Sequence, residues 1–232
     1  AAPPVAWSAS GERLYFLGTQ GSQSNLFAVP RTGGTPEPVT VGEHEVVTAS
    51  FDRQGRRFAA LIQDETGPAD VYVSELGGAL RRLTNLNADI CSQVQMARAE
   101  PLPFTTGDGL RPEGWLLKPP GFDNSQRYPL VVVVQGGLQF AHGRSFSIEY
   151  QLLAGRGYLV FLFNPRQRGY YQGWVRQTYI DMMSAVNELL SRGIVDETRI
   201  GLTGDAAGGA VTLWAISHTD RFAAAVARRM SS

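Results

Sequence analysis

Two stretches of this chain repeat one another at an interval of about 44 residues, and that interval constrains the first part of the molecule more than any other feature. Trp7-Ser8-Ala9-Ser10-Gly11-Glu12-Arg13-Leu14 aligns with Phe51-Asp52-Arg53-Gln54-Gly55-Arg56-Arg57-Phe58. The register continues: Asn25-Leu26-Phe27-Ala28-Val29 meets Asp70-Val71-Tyr72-Val73-Ser74, Gly33-Gly34 meets Gly77-Gly78, and Pro38-Val39-Thr40 meets Arg82-Leu83-Thr84. Each copy holds short strand-like runs, such as Leu14-Tyr15-Phe16-Leu17 and Phe58-Ala59-Ala60-Leu61-Ile62, between turn residues. That period and texture predict two four-stranded β-propeller blades over residues 1–86. Two blades do not close a ring, which takes about four or more. Open strand edges are therefore expected, to be covered by missing sequence, a partner or a second copy.

After a linker expected over residues 87–103, the pattern changes at about Phe104 to strands alternating with helices. Leu110 to Lys118 reads as a strand stopped by Pro119-Pro120-Gly121. Tyr128 to Val134 is an apolar, β-branched run suited to a strand covered on both faces. A helix is expected from Ser145 to Ala154 and a buried strand from Tyr158 to Phe163. Ile180, Met183, Val186 and Leu190 recur at helical spacing and predict one face packed on a sheet, with the methionines as core. A strand from Arg199 to Thr203, a helix from Gly208 to about Ser217 and a strand from Phe222 to Ala227 follow. Such alternation implies a mainly parallel sheet.

Between the strand Arg199 to Thr203 and its helix lies Gly204-Asp205-Ala206-Ala207-Gly208-Gly209-Ala210. In the pattern G-x-S-x-G a serine sits on a strained strand-to-helix turn, the nucleophile elbow of α/β-hydrolases. Gly204 and Gly208 stand where that pattern has its glycines, but the serine position is Ala206, and a methyl group cannot attack a carbonyl. The expected fold is thus an incomplete α/β-hydrolase domain over residues 104–232, preceded by propeller blades.

Several further motifs occur in one order: Gly114-Trp115-Leu116-Leu117-Lys118-Pro119-Pro120-Gly121-Phe122-Asp123, Tyr128-Pro129-Leu130, Asn164-Pro165-Arg166 and His218-Thr219-Asp220-Arg221-Phe222. Together with the elbow they resemble the prolyl oligopeptidase family, and within it the acylaminoacyl-peptidase and dipeptidyl-peptidase-like branch, over essentially the whole chain. The resemblance implies a serine peptidase of short peptides or acyl-peptides, with a propeller restricting access to the site and no cofactor. It places the family serine at Ala206 and the elbow glycines at Gly204, Gly208 and Gly209. The first oxyanion donor falls on the backbone N–H of Ala207, and the second on the turn Gln135-Gly136-Gly137-Leu138, in particular Gln135 and Gly136.

The chain departs from the family pattern at several places. Gln135 replaces a histidine and Leu138 a proline, and Gln167-Arg168-Gly169-Tyr170-Tyr171 stands where a Gly-Ser-x-Gly-Tyr-Gly run is customary. Between Tyr171 and Asp181 the chain is several residues shorter than that pattern. Only 26 residues follow Ala206, whereas the family's Asp and His lie many tens of residues beyond the serine. The chain as written is therefore expected to be inactive. A pseudoenzyme or interaction module that binds without cleaving is the alternative, and a carboxylesterase-like hydrolase, which would lack blades, is a second.

Other residues offer no substitute machinery. His218 reads as a capping or surface histidine, His142 as a residue of the cleft without a base role, His44 as a loop residue, and Asp205 as structural. Three dispersed histidines and one cysteine, Cys91, make no metal-ligand spacing. Cys91 reads as a small hydrophobe and suits a reducing compartment, which favours a cytoplasmic location without excluding export. Lys plus Arg and Asp plus Glu each number 21, so no charge block suggests nucleic acid or a membrane surface. The longest apolar run, Leu130 to Val134, is far too short to span a bilayer. The first residues, Ala1-Ala2-Pro3-Pro4, lack a signal-peptide pattern, so a signal was either removed or never present.

Overall fold

The computed structural model of the chain describes residues 5–134, 136, 142–143, 145–165 and 173–229. It divides into two compact units, residues 1–95 with 144–147, and residues 96–143 with 148–232.

In the first unit, β1 (Val5–Trp7), β2 (Arg13–Gln20), β3 (Gln23–Pro30) and β4 (Glu37–Pro38) form an antiparallel meander. A second meander comprises β5 (Glu45–Phe51), β6 (Arg57–Asp64), β7 (Gly67–Glu75) and β8 (Arg81–Arg82). A parallel bridge at Ser24 and Glu45 joins them into one sheet.

The sequence repeat is a repeat of hydrogen bonds. Gly11 N–H donates to Ser8 O, and Gly55 N–H to Asp52 O; Arg31 N–H donates to Glu12 O, and Leu76 N–H to Arg56 O. Side chains follow the same rule. Thr40 Oγ1 accepts from Leu26 N–H at 2.9 Å and donates to Asn25 Oδ1 at 2.9 Å. Thr84 Oγ1 accepts from Val71 N–H at 2.9 Å and donates to Asp70 Oδ1 at 2.6 Å. In both copies a threonine just after the last strand closes onto the third, satisfying a backbone donor that the short β4 and β8 cannot reach. Alternate residues supply the core: Leu26 and Ala28 from β3 meet Phe58, Ala60 and Ile62 from β6, with Tyr15 and Val46. Tyr15 and Phe51 stack with ring centroids 4.6 Å apart.

Helix α1 (Ala88–Gln93) follows, burying none of its residues, and Cys91 on it is half-buried. The expected linker is therefore partly regular, and its end supplies a strand to the next sheet.

The second unit is a six-stranded sheet. Its elements are β9 (Ala99–Pro101), β10 (Gly114–Leu117), β11 (Tyr128–Val134), α2 (Ile148–Gly155), β12 (Leu159–Phe163), α3 (Trp174–Ser191), β13 (Val195–Asp205), α4 (Ala207–Ile216) and β14 (Ala224–Arg228). The strand order is β14-β13-β11-β12-β10-β9. The four strands from β14 to β12 are parallel, and β10 and β9 add antiparallel. The β11 run is covered on both faces, as its composition requires. Leu130, Val132 and Val134 pack with Val211 and Ala215 of α4 and Met182 and Leu189 of α3, while Val133 packs with Ala154 of α2.

Helix α3 packs on a face displaced from the expected one. Trp174, Thr178, Asp181, Met182, Ala185, Val186 and Leu189 are buried, whereas Ile180 is 39% exposed and Met183 and Leu190 are only half-buried. Helical side chains lean toward the N-terminus, and two further apolar residues, Met182 and Leu189, fit that rotated stripe. Polar Thr178 and Asp181 on the buried stripe hid it from a hydrophobicity reading. Strand β10 is shorter than expected, and β13 is longer, beginning at Val195.

Candidate active site

Strand β13 ends at Asp205 and α4 begins at Ala207, so Ala206 alone makes the corner. Its backbone has φ 52 and ψ −116, a conformation costly for any residue with a Cβ, by about 1–3 kcal/mol. Three hydrogen bonds hold the bend: Ala206 N–H donates to Arg228 O at 2.9 Å, and Gly209 N–H and Ala210 N–H donate to Ala206 O at 3.0 and 3.4 Å. Ala206 is partly accessible, while Ala207, Gly208 and Gly209 are buried.

Space dictates glycine at two positions of the corner. A Cβ on Gly204 would lie 2.2 Å from Gly208 O and 2.7 Å from Thr212 Oγ1, so the start of the elbow and the first turn of α4 can touch only through bare backbone. A Cβ on Gly136, just past β11, would lie 1.7 Å from Asp205 O and 2.6 Å from Gly208 N. Gly136 thus lies directly against the corner, beside Asp205 and Gly208, although about 70 residues separate them in sequence. Thr212 Oγ1 donates to Gly208 O at 3.0 Å and secures the first turn. Gln135, Gly137, Leu138 and the segment Gln167-Arg168-Gly169-Tyr170-Tyr171 lie outside the described residues.

Residues 144–231 match the Prolyl oligopeptidase family of S9 peptidases. Over those residues the chain is similar to prolyl oligopeptidase family sequence. An uncharacterized peptidase of Bacillus subtilis, YuxL, is 29% identical to 97% of this chain, which covers 36% of that protein. Dipeptidyl-peptidase 5 of Porphyromonas gingivalis is 29% identical to 96% of the chain, covering 34% of its own length. Among solved structures, Pyrococcus horikoshii acylaminoacyl peptidase superposes with a TM-score of 0.79 at 28% identity, over 97% of this chain and 37% of that one. An acylaminoacyl peptidase in complex with Z-Gly-Gly-Phe-chloromethyl ketone gives 0.80 at 28% identity, with the same coverage. The chain spans about a third of the length of these S9 relatives.

Around this corner, Asp205 is engaged rather than free to act as an acid. Arg229 Nε donates to Asp205 Oδ1 at 2.9 Å and Nη2 to Oδ2, a two-pronged pair. Those bonds hold the Asp205 carboxyl below the usual carboxylate range, against the opposing effect of its partial burial. One residue back, Arg228 Nη1 reaches Glu149 Oε2 of α2 at 3.2 Å. Next to Glu149, burial pushes the Tyr150 hydroxyl up to about 12, and the Glu149 charge adds to the shift. Tyr150 is thereby held protonated across the neutral range.

The histidines are placed apart. His218 follows α4, its Nδ1 2.8 Å from Trp214 O and its ring stacked on Trp214 with centroids 4.2 Å apart; it caps the helix end. His142 is buried with its ring edge-on to Tyr150. Its backbone is clasped by Asn164: His142 N–H donates to Asn164 Oδ1 at 2.8 Å, and Asn164 Nδ2 donates to His142 O at 3.0 Å. His44 stands in the bend before β5, where burial lowers its pKa more than Asp64 raises it.

Reading the sequence did not foresee two of these contacts. Asn164 was visible as part of the Asn164-Pro165-Arg166 motif, though not its partner. Arg229 carried no signal, being one of two adjacent arginines at a strand end.

Proposed function

We propose that this chain is the front of a serine-peptidase-type hydrolase whose reacting position is Ala206, and that it is inactive as it stands. The observation that carries the reading is the backbone of Ala206, strained at φ 52 in a corner where Gly136 and Gly204 leave no room for side chains. Strain of this kind persists where the surroundings over-determine it, and it exposes whatever side chain position 206 bears. Residues 1–86 serve as two propeller blades in this reading, supported by the repeated hydrogen bonds of the two meanders, and residues 104–232 as the hydrolase portion.

With a serine at 206, the N–H of Ala207 is the first donor to the developing oxyanion. It lies in the first turn of α4, where backbone N–H groups lack intrahelical acceptors. The turn carrying Gln135 and Gly136 supplies the second donor. Peptides or acyl-peptides are the proposed substrates, since the solved acylaminoacyl peptidase accepts a peptidyl chloromethyl ketone. Without a nucleophile, only the ~10³ to 10⁴ acceleration of binding and oxyanion stabilisation remains. A peptide-binding pseudoenzyme is the second reading, favoured by the corner's geometry surviving loss of the hydroxyl.

Ala206→Ser in a chain extended to the length of its relatives is expected to hydrolyse short peptides and to react with a fluorophosphonate at position 206. The unaltered chain is expected to do neither. Robust labelling of the unaltered chain, at Ser145 or Ser217 for example, would move the site elsewhere. Peptide affinity without turnover in both forms would select the second reading.

A further inference from the structure

The two non-glycine residues with positive φ among those described are Ala206 (φ 52) and Arg229 (φ 46). They are neighbours in space for a definite reason. Strands β13 and β14 are paired from Gly201 and Ala224 to Asp205 and Arg228, where the ladder stops. The next residue on each strand is one of these two. Both chains therefore leave the sheet at the same level through backbone conformations that a side chain disfavours. Across this exit lie the Arg229 fork on Asp205 and the bond from Ala206 N–H to Arg228 O.

We propose that Arg229 is a positioning residue for the reacting position, locking the exit of β13 so that residue 206 is presented in one orientation and neutralising the Asp205 carboxylate beside it. This rests on position 206 being the nucleophile site. Lost pairing at a ladder end normally frays, since outward-turning residues have no strand partner. Here the side chain one residue past the end of β14 grips the last residue of β13, replacing a ladder rung with a fork of fixed geometry. The electrostatic consequence follows from the Asp205 carboxylate standing on the residue next to position 206, with the Arg229 fork on it. A carboxylate one residue before a developing oxyanion or thiolate opposes its charge, and a guanidinium forked onto that carboxylate cancels the opposition. Among the described residues, Glu149, Arg228 and Tyr150, with His142 edge-on to Tyr150, also lie near this corner, and Glu149 and Arg228 are already paired with each other.

A thiol reports on both effects without any peptidase activity. In the full chain carrying Cys91→Ser and Ala206→Cys, the rate of alkylation by iodoacetamide is followed against pH, giving the thiol's apparent pKa and its limiting rate as thiolate. Adding Arg229→Gln is expected to raise the apparent pKa, slowing alkylation at neutral pH by roughly threefold to tenfold, and to change the limiting rate by about twofold or more as the corner loosens. Arg229→Lys is expected to recover the pKa but not the limiting rate, because an ammonium supplies the charge without the fork. The pair Asp205→Asn with Arg229→Gln is expected to behave likewise. Arg229 is exposed, so these variants are expected to fold, which circular dichroism checks. An unchanged pKa and limiting rate in Arg229→Gln would overturn the proposal, and a shifted pKa with an unchanged limiting rate would overturn its positioning role. Failure of Ala206→Ser to restore turnover in the extended chain would count against the peptidase reading and leave these thiol results standing.

Discussion

The two halves of this molecule specify themselves by opposite means. In the repeated meanders, identity is written in polar groups that recur at fixed spacing: Asn25 with Thr40, then Asp70 with Thr84. In the sheet-and-helix half, the corner is written in absent atoms, with Gly136 and Gly204 letting three backbone segments meet at distances no Cβ permits. Tolerance to substitution should differ accordingly. Hydrogen bonds can be lost one at a time, whereas an added atom in a closed backbone contact displaces everything around it.

The most severe test is Gly136→Ala. Its Cβ would meet Asp205 O at 1.7 Å, so the corner must open, and a loss of roughly 3 kcal/mol or more is expected on unfolding by urea. Gly33→Ala in the first meander is the control: φ is 86 and nothing lies within 4 Å, so only the backbone penalty of about 1 kcal/mol applies. Equal losses would end the contrast between halves.

Within the repeat, Asp70→Ala should cost about 2–3 kcal/mol and Asn25→Ala about 1–2 kcal/mol, measured the same way. Asp70 is buried and accepts from Thr84, from Leu86 N–H and from Arg82, whereas the Asn25 clasp is uncharged. Burial works against the charged form of Asp70, but the bonds from Thr84 and Arg82 prevail and hold its carboxyl below the ordinary range. A lowered folded-state pKa stabilises the fold above the unfolded value of about 3.9, and that stability is lost as pH falls through the folded value. The stability gap between the parent and Asp70→Asn should accordingly be full at neutral pH and shrink below about pH 4. A gap that is flat from pH 7 to pH 2 would show that the charge contributes nothing.

Smaller still is Ala206→Gly, which removes the Cβ penalty at φ 52 while loosening the unfolded chain. The net gain is expected to reach at most about 1 kcal/mol in thermal unfolding, and a loss would mean the corner is not strained. Smallest is His218→Ala. The exposed ring only stacks on Trp214 and caps α4, so a change under about 0.5 kcal/mol is expected.

The four-stranded meanders were legible because alternation and turn glycines act locally, and the threonine clasps fell on the aligned positions. The buried strands were legible for the same reason: Tyr128 to Val134 can only be a strand if both faces are covered. Register on α3 was not. Thr178 and Asp181 sit on its buried stripe, and a polar residue is buried only where a partner awaits it, which no local pattern records.

By itself the sequence determined the period of the meanders, the order of strands and helices, the position of the corner and the absence of a hydroxyl on it. All of these depend on neighbours along the chain. Only the tertiary structure decided that Gly136 closes on that corner, that Asn164 clasps His142 and that Arg229 grips Asp205. Those contacts join residues from 22 to about 70 positions apart, and their existence depends on how parallel strands stack their ends side by side, which single-residue chemistry does not encode.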